Sequence, residues 1–111
     1  MADVEPELLK KYNLAFKHFT RGELDQAIQA FQELIAESPR FGMAYHALSE
    51  IHARKGEHEL AIAAIRKAIE AEPGEPLYHT SLSRFLQRQG KIAEAEEASA
   101  VASQIRTGRP H

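Results

Sequence analysis

Six histidines in a chain of 111 residues are the first feature with chemical content. Imidazoles brought together can hold a transition metal, and one beside a serine can serve as its general base. The spacing favours neither role. His46 and His52 are six residues apart, which on a helix sends them to different sides. Ser49 and His52 share a helix at i, i+3, but nothing local supplies an oxyanion hole or a strained nucleophile turn. The glycines come singly, so no phosphate-cradling loop is written. Absence of cysteine removes disulfides, thiolate catalysis and cysteine-held metals. The expectation is a non-enzymatic protein with no metal and no cofactor. His46 with Glu50, an i, i+4 pair, offers at most a contact tuned by pH.

Composition narrows the partners. A net charge of −2 gives no general attraction to nucleic acid or to an anionic membrane. No apolar run approaches the roughly 20 residues of a membrane span. The opening MADVEPELLKKY is acidic and lacks an apolar signal core. A cytoplasmic protein with neither nucleic-acid nor membrane partners is expected.

The elements that position these residues follow from a period. Gly22, Gly56 and Gly90 are spaced by 34, as are Ala27, Ala61 and Ala95, and Leu14, Leu48 and Leu82. Pro39 and Pro73 keep the spacing, with Thr107 in the third slot; His18 and His52 keep it too, followed by Leu86. Each unit divides at its glycine. Before it lies a stretch with no internal proline and with apolar residues at helical spacing, such as Leu8, Leu14, Ala15 and His18. After it runs an alanine-rich helix whose stripe reads Ala27, Ile28, Phe31, Leu34 and Ile35, then Ala61, Ile62, Ile65, Ala68 and Ile69. The glycine suits a left-handed turn residue, and the prolines help end each second helix. Six helices in three hairpins and no strands are predicted. One such hairpin cannot bury its stripe alone; stacked copies bury it together. The alanines mark the close approaches. In the last helix Glu96, Ser99 and Ser103 replace the apolar stripe, as befits a helix with no further neighbour. His18 and His52 read as packed histidines satisfied by hydrogen bonds.

The period, the small residues beside the leucines (Ala15, Ser49, Ser83), the turn glycines, the alanines and the closing prolines together resemble the tetratricopeptide repeat family, over about Leu8 to Arg109. The chain departs from the family pattern in having Lys11, Tyr45 and His79 for its frequent tryptophan, and His18, His52 and Leu86 for its tyrosine. The resemblance implies an all-α fold, a right-handed α-solenoid of three helix-turn-helix hairpins. Its units would be 8–41, 42–75 and 76–106, the last with a polar capping second helix, between a lead-in at 1–7 and a tail at 107–111. First helices would line a concave face and second helices a convex one.

That resemblance also implies a site. Family ligands lie along the concave face, which here carries Leu9, Tyr12, Phe16 and Phe19, then Met43, His46, Glu50 and Arg54, then Leu77, Arg84 and Arg88. Leu8, Leu14 and Ala15 already supply the first helix with an inward stripe, so Leu9, Tyr12, Phe16 and Phe19 make a second one. A helix apolar on two faces needs two partners: neighbouring hairpins for one, and for the other a ligand, a second copy or a folded-back N-terminal segment. Arg54, Arg84 and Arg88 make the far end basic. The expected partner is a peptide or protein segment with apolar or aromatic anchors toward the first hairpin and acidic residues toward the third. A homodimer burying the aromatic face is the alternative. Some family members clamp acidic chaperone tails; the matching positions Tyr12, Phe16, Ala47, Leu77 and Ser81 cannot clamp two carboxylates.

Overall fold

Pro6 begins the first helix at a position where its missing N–H costs nothing. The computed structural model describes residues 5–108. Six helices follow in order: α1 (Pro6–Thr20), α2 (Leu24–Glu37), α3 (Gly42–Arg54), α4 (His58–Ala71), α5 (Pro76–Arg88) and α6 (Ile92–Thr107). Among the described residues there is no strand. The helices pair as α1–α2, α3–α4 and α5–α6, and each pair stacks on the next, giving an all-α solenoid of three hairpins.

The three turns are built alike. Gly22, Gly56 and Gly90 take φ of +76°, +79° and +76°. That left-handed step costs a glycine little and any β-carbon more. It lets the N–H groups of Glu23, Glu57 and Lys91 each donate to the carbonyls of His18, His52 and Leu86 at 2.9 Å, which satisfies helix-end acceptors. The second helices end where the prolines require it: α2 stops at Glu37 and α4 at Ala71. The third unit has no proline there, and Gly108 closes α6 instead, with φ of +71°.

Packing gives the period its physical meaning. Ala27, Ala61 and Ala95 are fully buried, so no larger side chain fits where each second helix meets its partner. One core cluster joins hairpins one and two through Phe31, Leu34, Phe41, Leu48 and Ile51. Another joins hairpins two and three through Ile65, Tyr78, Leu82, Phe85 and Ala95. Small residues beside the leucines also bond: Ser49 Oγ donates to the His46 carbonyl at 2.6 Å, and Ser83 Oγ to the Ala95 carbonyl at 2.8 Å. A contact that the period does not announce joins the second hairpin to the third. Glu72 accepts a hydrogen bond from the Tyr78 hydroxyl at 3.0 Å and lies against Gly42, filling the space a β-carbon would need.

Leu14 corrects the inward stripe assigned to α1. Its counterparts Leu48 and Leu82 are each 7% exposed, whereas Leu14 is 56% exposed. Those counterparts pack on the preceding hairpin, and among the described residues none precedes α1. Its flanking positions agree: Lys10 and Lys17 stand where α3 has Ala44 and Ile51, and α5 has Tyr78 and Phe85. At the other end Glu96, Ser99 and Ser103 all face solvent. Equivalent leucines should therefore respond unequally to truncation. Leu48→Ala is expected to lower unfolding free energy by roughly 2–4 kcal/mol through loss of buried methyls and the cavity left behind. Leu14→Ala should change it by less than about 0.5 kcal/mol. Urea unfolding followed by circular dichroism measures both, and equal losses would contradict the open edge at α1.

Candidate functional site

The first helices α1, α3 and α5 share one face of the stack, and equivalent positions line up across it. Three of the predicted residues begin the rows: Leu9, Met43 and Leu77, one from each first helix. Leu9 is 40% and Leu77 49% exposed, and Met43 is half-buried against the first core cluster.

The aromatic cluster of α1 divides between core and surface. Tyr12 meets Phe31 edge-on at 5.5 Å and Phe41 at 5.7 Å between ring centroids, so much of it belongs to the core. Burial raises its phenol pKa. Phe16 stacks on Tyr12 at 5.9 Å and stands edge-on to Phe19 at 5.6 Å, yet remains 38% exposed. Phe19 is half-buried, with the Arg54 guanidinium 4.9 Å above its ring, a cation–π contact. Neighbouring side chains thus satisfy part of the second stripe, and Leu9 and Phe16 keep the most open apolar surface.

Toward the third hairpin the groove is polar and tied together. His46 Nε2 lies 3.2 Å from Ser81 Oγ and 3.7 Å from Glu50 Oε1, and its ring packs on Tyr78. Arg84 spans from α5 back to α3: Nη1 donates to Glu50 Oε2 at 3.4 Å, Nη2 makes a short bond to Glu50 Oε1, and its plane covers Phe85 at 5.0 Å. Desolvation pushes the Glu50 carboxyl upward. Hydrogen bonds and charge from His46 and Arg84 outweigh it and hold the pKa at about 2. Arg84 is therefore committed to the protein's own carboxylate. Among the described residues Arg54 and Arg88 have no ion-pair partner and are exposed. Arg106, which sequence reasoning missed, reaches from the end of α6 to donate to Thr80 Oγ1 at 2.8 Å. The antiparallel hairpin brings it there, and pattern along a single helix carries no trace of that.

Ser81, His46 and Glu50 contain the residue types of an acyl-transfer triad but not its arrangement. Serine and carboxylate both approach the same nitrogen, Nε2, so no carboxylate orients the ring through Nδ1. Ser81 is moreover only 2% exposed. Two other histidines serve the hairpin turns: His18 Nδ1 meets Glu23 at 2.8 Å and His52 Nδ1 meets Glu57 at 2.9 Å, both across the glycine turn. Among the described residues no three histidine, aspartate or glutamate side chains cluster as a metal site would require, and no helix is long and apolar enough to cross a membrane. The tail residues Arg109, Pro110 and His111 lie outside the described residues.

The Glu50 network makes a pH prediction. Its folded pKa of about 2 lies below the ordinary 4.5. Between those values the unfolded chain takes up a proton that the folded chain refuses. The stabilisation is thus complete above about pH 4.5, declines as pH falls, and is gone near pH 2. Glu50→Gln should cost about 1–2 kcal/mol at pH 7, after solvent screening at this partly open position. It should also flatten the acid limb of stability against pH. Denaturant titrations at a series of pH values check this, and an unchanged slope for the variant would contradict the network.

Comparison with known proteins agrees with this architecture. The profile described as Tetratricopeptide repeat matches residues 12–76. No curated protein sequence matches the chain. Among solved structures, MamA superposes with a TM-score of 0.87 at 28% identity over 91% of this chain, which spans 59% of the MamA chain. The type III secretion chaperone SycD of Yersinia enterocolitica, in complex with a peptide of the translocator YopD, gives 0.87 at 23% identity, covering 96% of this chain and 82% of its own. The second TPR of Spaghetti (RPAP3), bound to the HSP90 peptide SRMEEVD, gives 0.83 at 14% identity, covering 90% and 93%. With the repeat profile spanning more than half of its length, over the first two hairpins, and a third hairpin stacked on them in the same way, this chain belongs to the tetratricopeptide repeat family.

Proposed function

We propose that the protein is a non-enzymatic interaction module that binds a segment of another protein along the face of α1, α3 and α5. The observation that carries this reading is the apolar surface left open there: Leu9 and Phe16, on a helix that also holds half-buried Tyr12 and Phe19 and whose other face already packs in the core, with half-buried Met43 on α3. Burying such a side chain in a partner contributes roughly 1.5–3 kcal/mol, part of which offsets the entropy of association. The scaffold is preorganised, because the clusters that fix α1, α3 and α5 lie behind the groove. Peptide complexes of structurally similar proteins, SycD with a YopD peptide and RPAP3 with an HSP90 peptide, support the use of this fold for the purpose. The absent clamp residues still separate this groove from one built for two chaperone-tail carboxylates.

Of the cations expected to orient an acidic segment, Arg54 and Arg88 are the available ones, since Arg84 is held by Glu50. The rival occupant of the aromatic face is a second copy of the chain. Sedimentation at several concentrations separates the two. A monomer whose binding of partner protein from native lysate is lost in Phe16→Asp, with helical content unchanged, is the expected result. Phe16 is the residue of choice because truncating Tyr12 would also remove contacts to Phe31 and Phe41. A dimer that dissociates on Phe16→Asp would instead assign the face to self-association.

A further inference from the structure

The repeat period places two unlike rims on the groove. Leu9, Met43 and Leu77 occupy one equivalent position near the N-terminal ends of α1, α3 and α5. Thr20, Arg54 and Arg88 occupy another, eleven residues later, at the C-terminal ends. The rows are therefore separated by roughly 16 Å along the helices. One rim is apolar and open at both ends of its row, with Leu9 40% and Leu77 49% exposed. The other carries two exposed guanidinium groups with no ion-pair partner among the described residues. Between them the floor is aromatic at Phe16 and internally neutralised where Arg84 meets Glu50. Polarity thus changes across the groove as well as along it.

We propose that the occupant is an amphipathic α-helix from a partner protein, lying along the groove with an apolar stripe on the Leu9–Met43–Leu77 rim and an acidic stripe facing Arg54 and Arg88. This rests on the groove reading above and names the conformation and chemistry of its ligand. Two geometric matches select a helix. Packed helices lie about 8–10 Å apart, and a helix advances about 10.5 Å in seven residues, so side chains at i, i+7 and i+14 meet successive hairpins on one stripe. An extended strand covers about 10 Å in three residues, but its side chains alternate, so every third residue points the opposite way. A helix, roughly 10–12 Å across with its side chains, fills most of the roughly 16 Å between the two rows, and the leucine and arginine side chains of the rims are long enough to close the rest. Charge selects the acidic stripe, because guanidinium groups pair with carboxylates through two parallel hydrogen bonds.

The probe is a fluorescein-labelled, alanine-based helical peptide of about 18 residues, with leucine at every seventh position and glutamate next to each leucine, so that the stripes lie about a quarter turn apart. Fluorescence anisotropy against the full chain should give saturable binding that weakens with salt. A version interrupted by two prolines, and one with lysine for glutamate, should each bind at least about tenfold more weakly. Leu9→Ser/Leu77→Ser should weaken binding about tenfold, and Arg54→Glu/Arg88→Glu should do the same and remove the salt dependence. Circular dichroism confirms that these exposed positions leave the fold intact. No binding of the helical peptide, equal binding of the proline-interrupted one, or indifference to either pair of substitutions overturns the proposal. Phe16→Asp keeps that failure separate from failure of the groove reading. If it abolishes capture of partner protein while the helical peptide fails, the groove stands and only its helical ligand falls. If it changes neither, both fall.

Discussion

Each hairpin of this protein has more apolar surface than two helices can cover for one another, and contact between successive hairpins is what removes it from water. The close approach is set by Ala27, Ala61 and Ala95, which have no side chain beyond a methyl and no exposed surface. With the backbones that near, Phe31 and Ile65 reach into the next hairpin and the two clusters form. The dependence is sequential: among the described residues α3 packs against elements on both sides, whereas α1 and α6 each have one side without a neighbour. Leu14 is open for that reason, and Glu96, Ser99 and Ser103 are polar for that reason. An architecture of this kind derives its stability from interfaces between units, so the middle hairpin contributes to two of them and the outer hairpins to one each.

The same stacking fixes the groove. Side chains on α1, α3 and α5 at equivalent positions are brought into register by the core behind them, without help from a ligand. What each position then does depends on the residue it holds. Phe16, Glu50 and Arg84 are equivalents in the three hairpins. The first is an open aromatic surface, and the other two satisfy each other across the α3–α5 boundary. That pair fastens the second hairpin to the third where the groove has no apolar floor to do so, and it removes a cation from the surface available to a ligand.

Much of this was legible in the sequence because it depends on one period. Spacings of 34 residues at glycine, alanine and leucine positions specify the six helices, the left-handed turns and the family. A period describes the interior of a stack, however, and fails at its ends: Leu14 follows the pattern as faithfully as Leu48 and Leu82, but among the described residues no hairpin precedes it to pack on. Side-chain pairing was less legible still. Nothing in the spacing of Glu50 and Arg84, 34 residues apart, distinguishes an ion pair from two independent groove charges. Tyr12 likewise reads as a groove aromatic, and only the positions of Phe31 and Phe41 show that the core holds most of it. The His18–Glu23 and His52–Glu57 pairs recur with the period and could have been found from it, since both span the same glycine turn.

These partitions bear on how the groove can discriminate among ligands. A side chain already engaged by the protein must be released before it contacts anything else, and that release subtracts from affinity. Tyr12, His46, Glu50 and Arg84 are engaged in this way; Leu9, Leu77 and Arg88 are not, and Phe16 keeps an open surface while it packs on Tyr12 and Phe19. Arg54 is intermediate, since its guanidinium can stay over the Phe19 ring while its edge donates to a carboxylate. On the proposed reading, selectivity falls to the rims and to one aromatic ring, with the centre as a spacer between them. Ligands that need the central charges would have to disrupt the pair that joins the second and third hairpins. Ligands that use only the rims would leave the Glu50–Arg84 pair in place, while Met43 and Arg54, which also pack within the stack, would serve both stability and recognition.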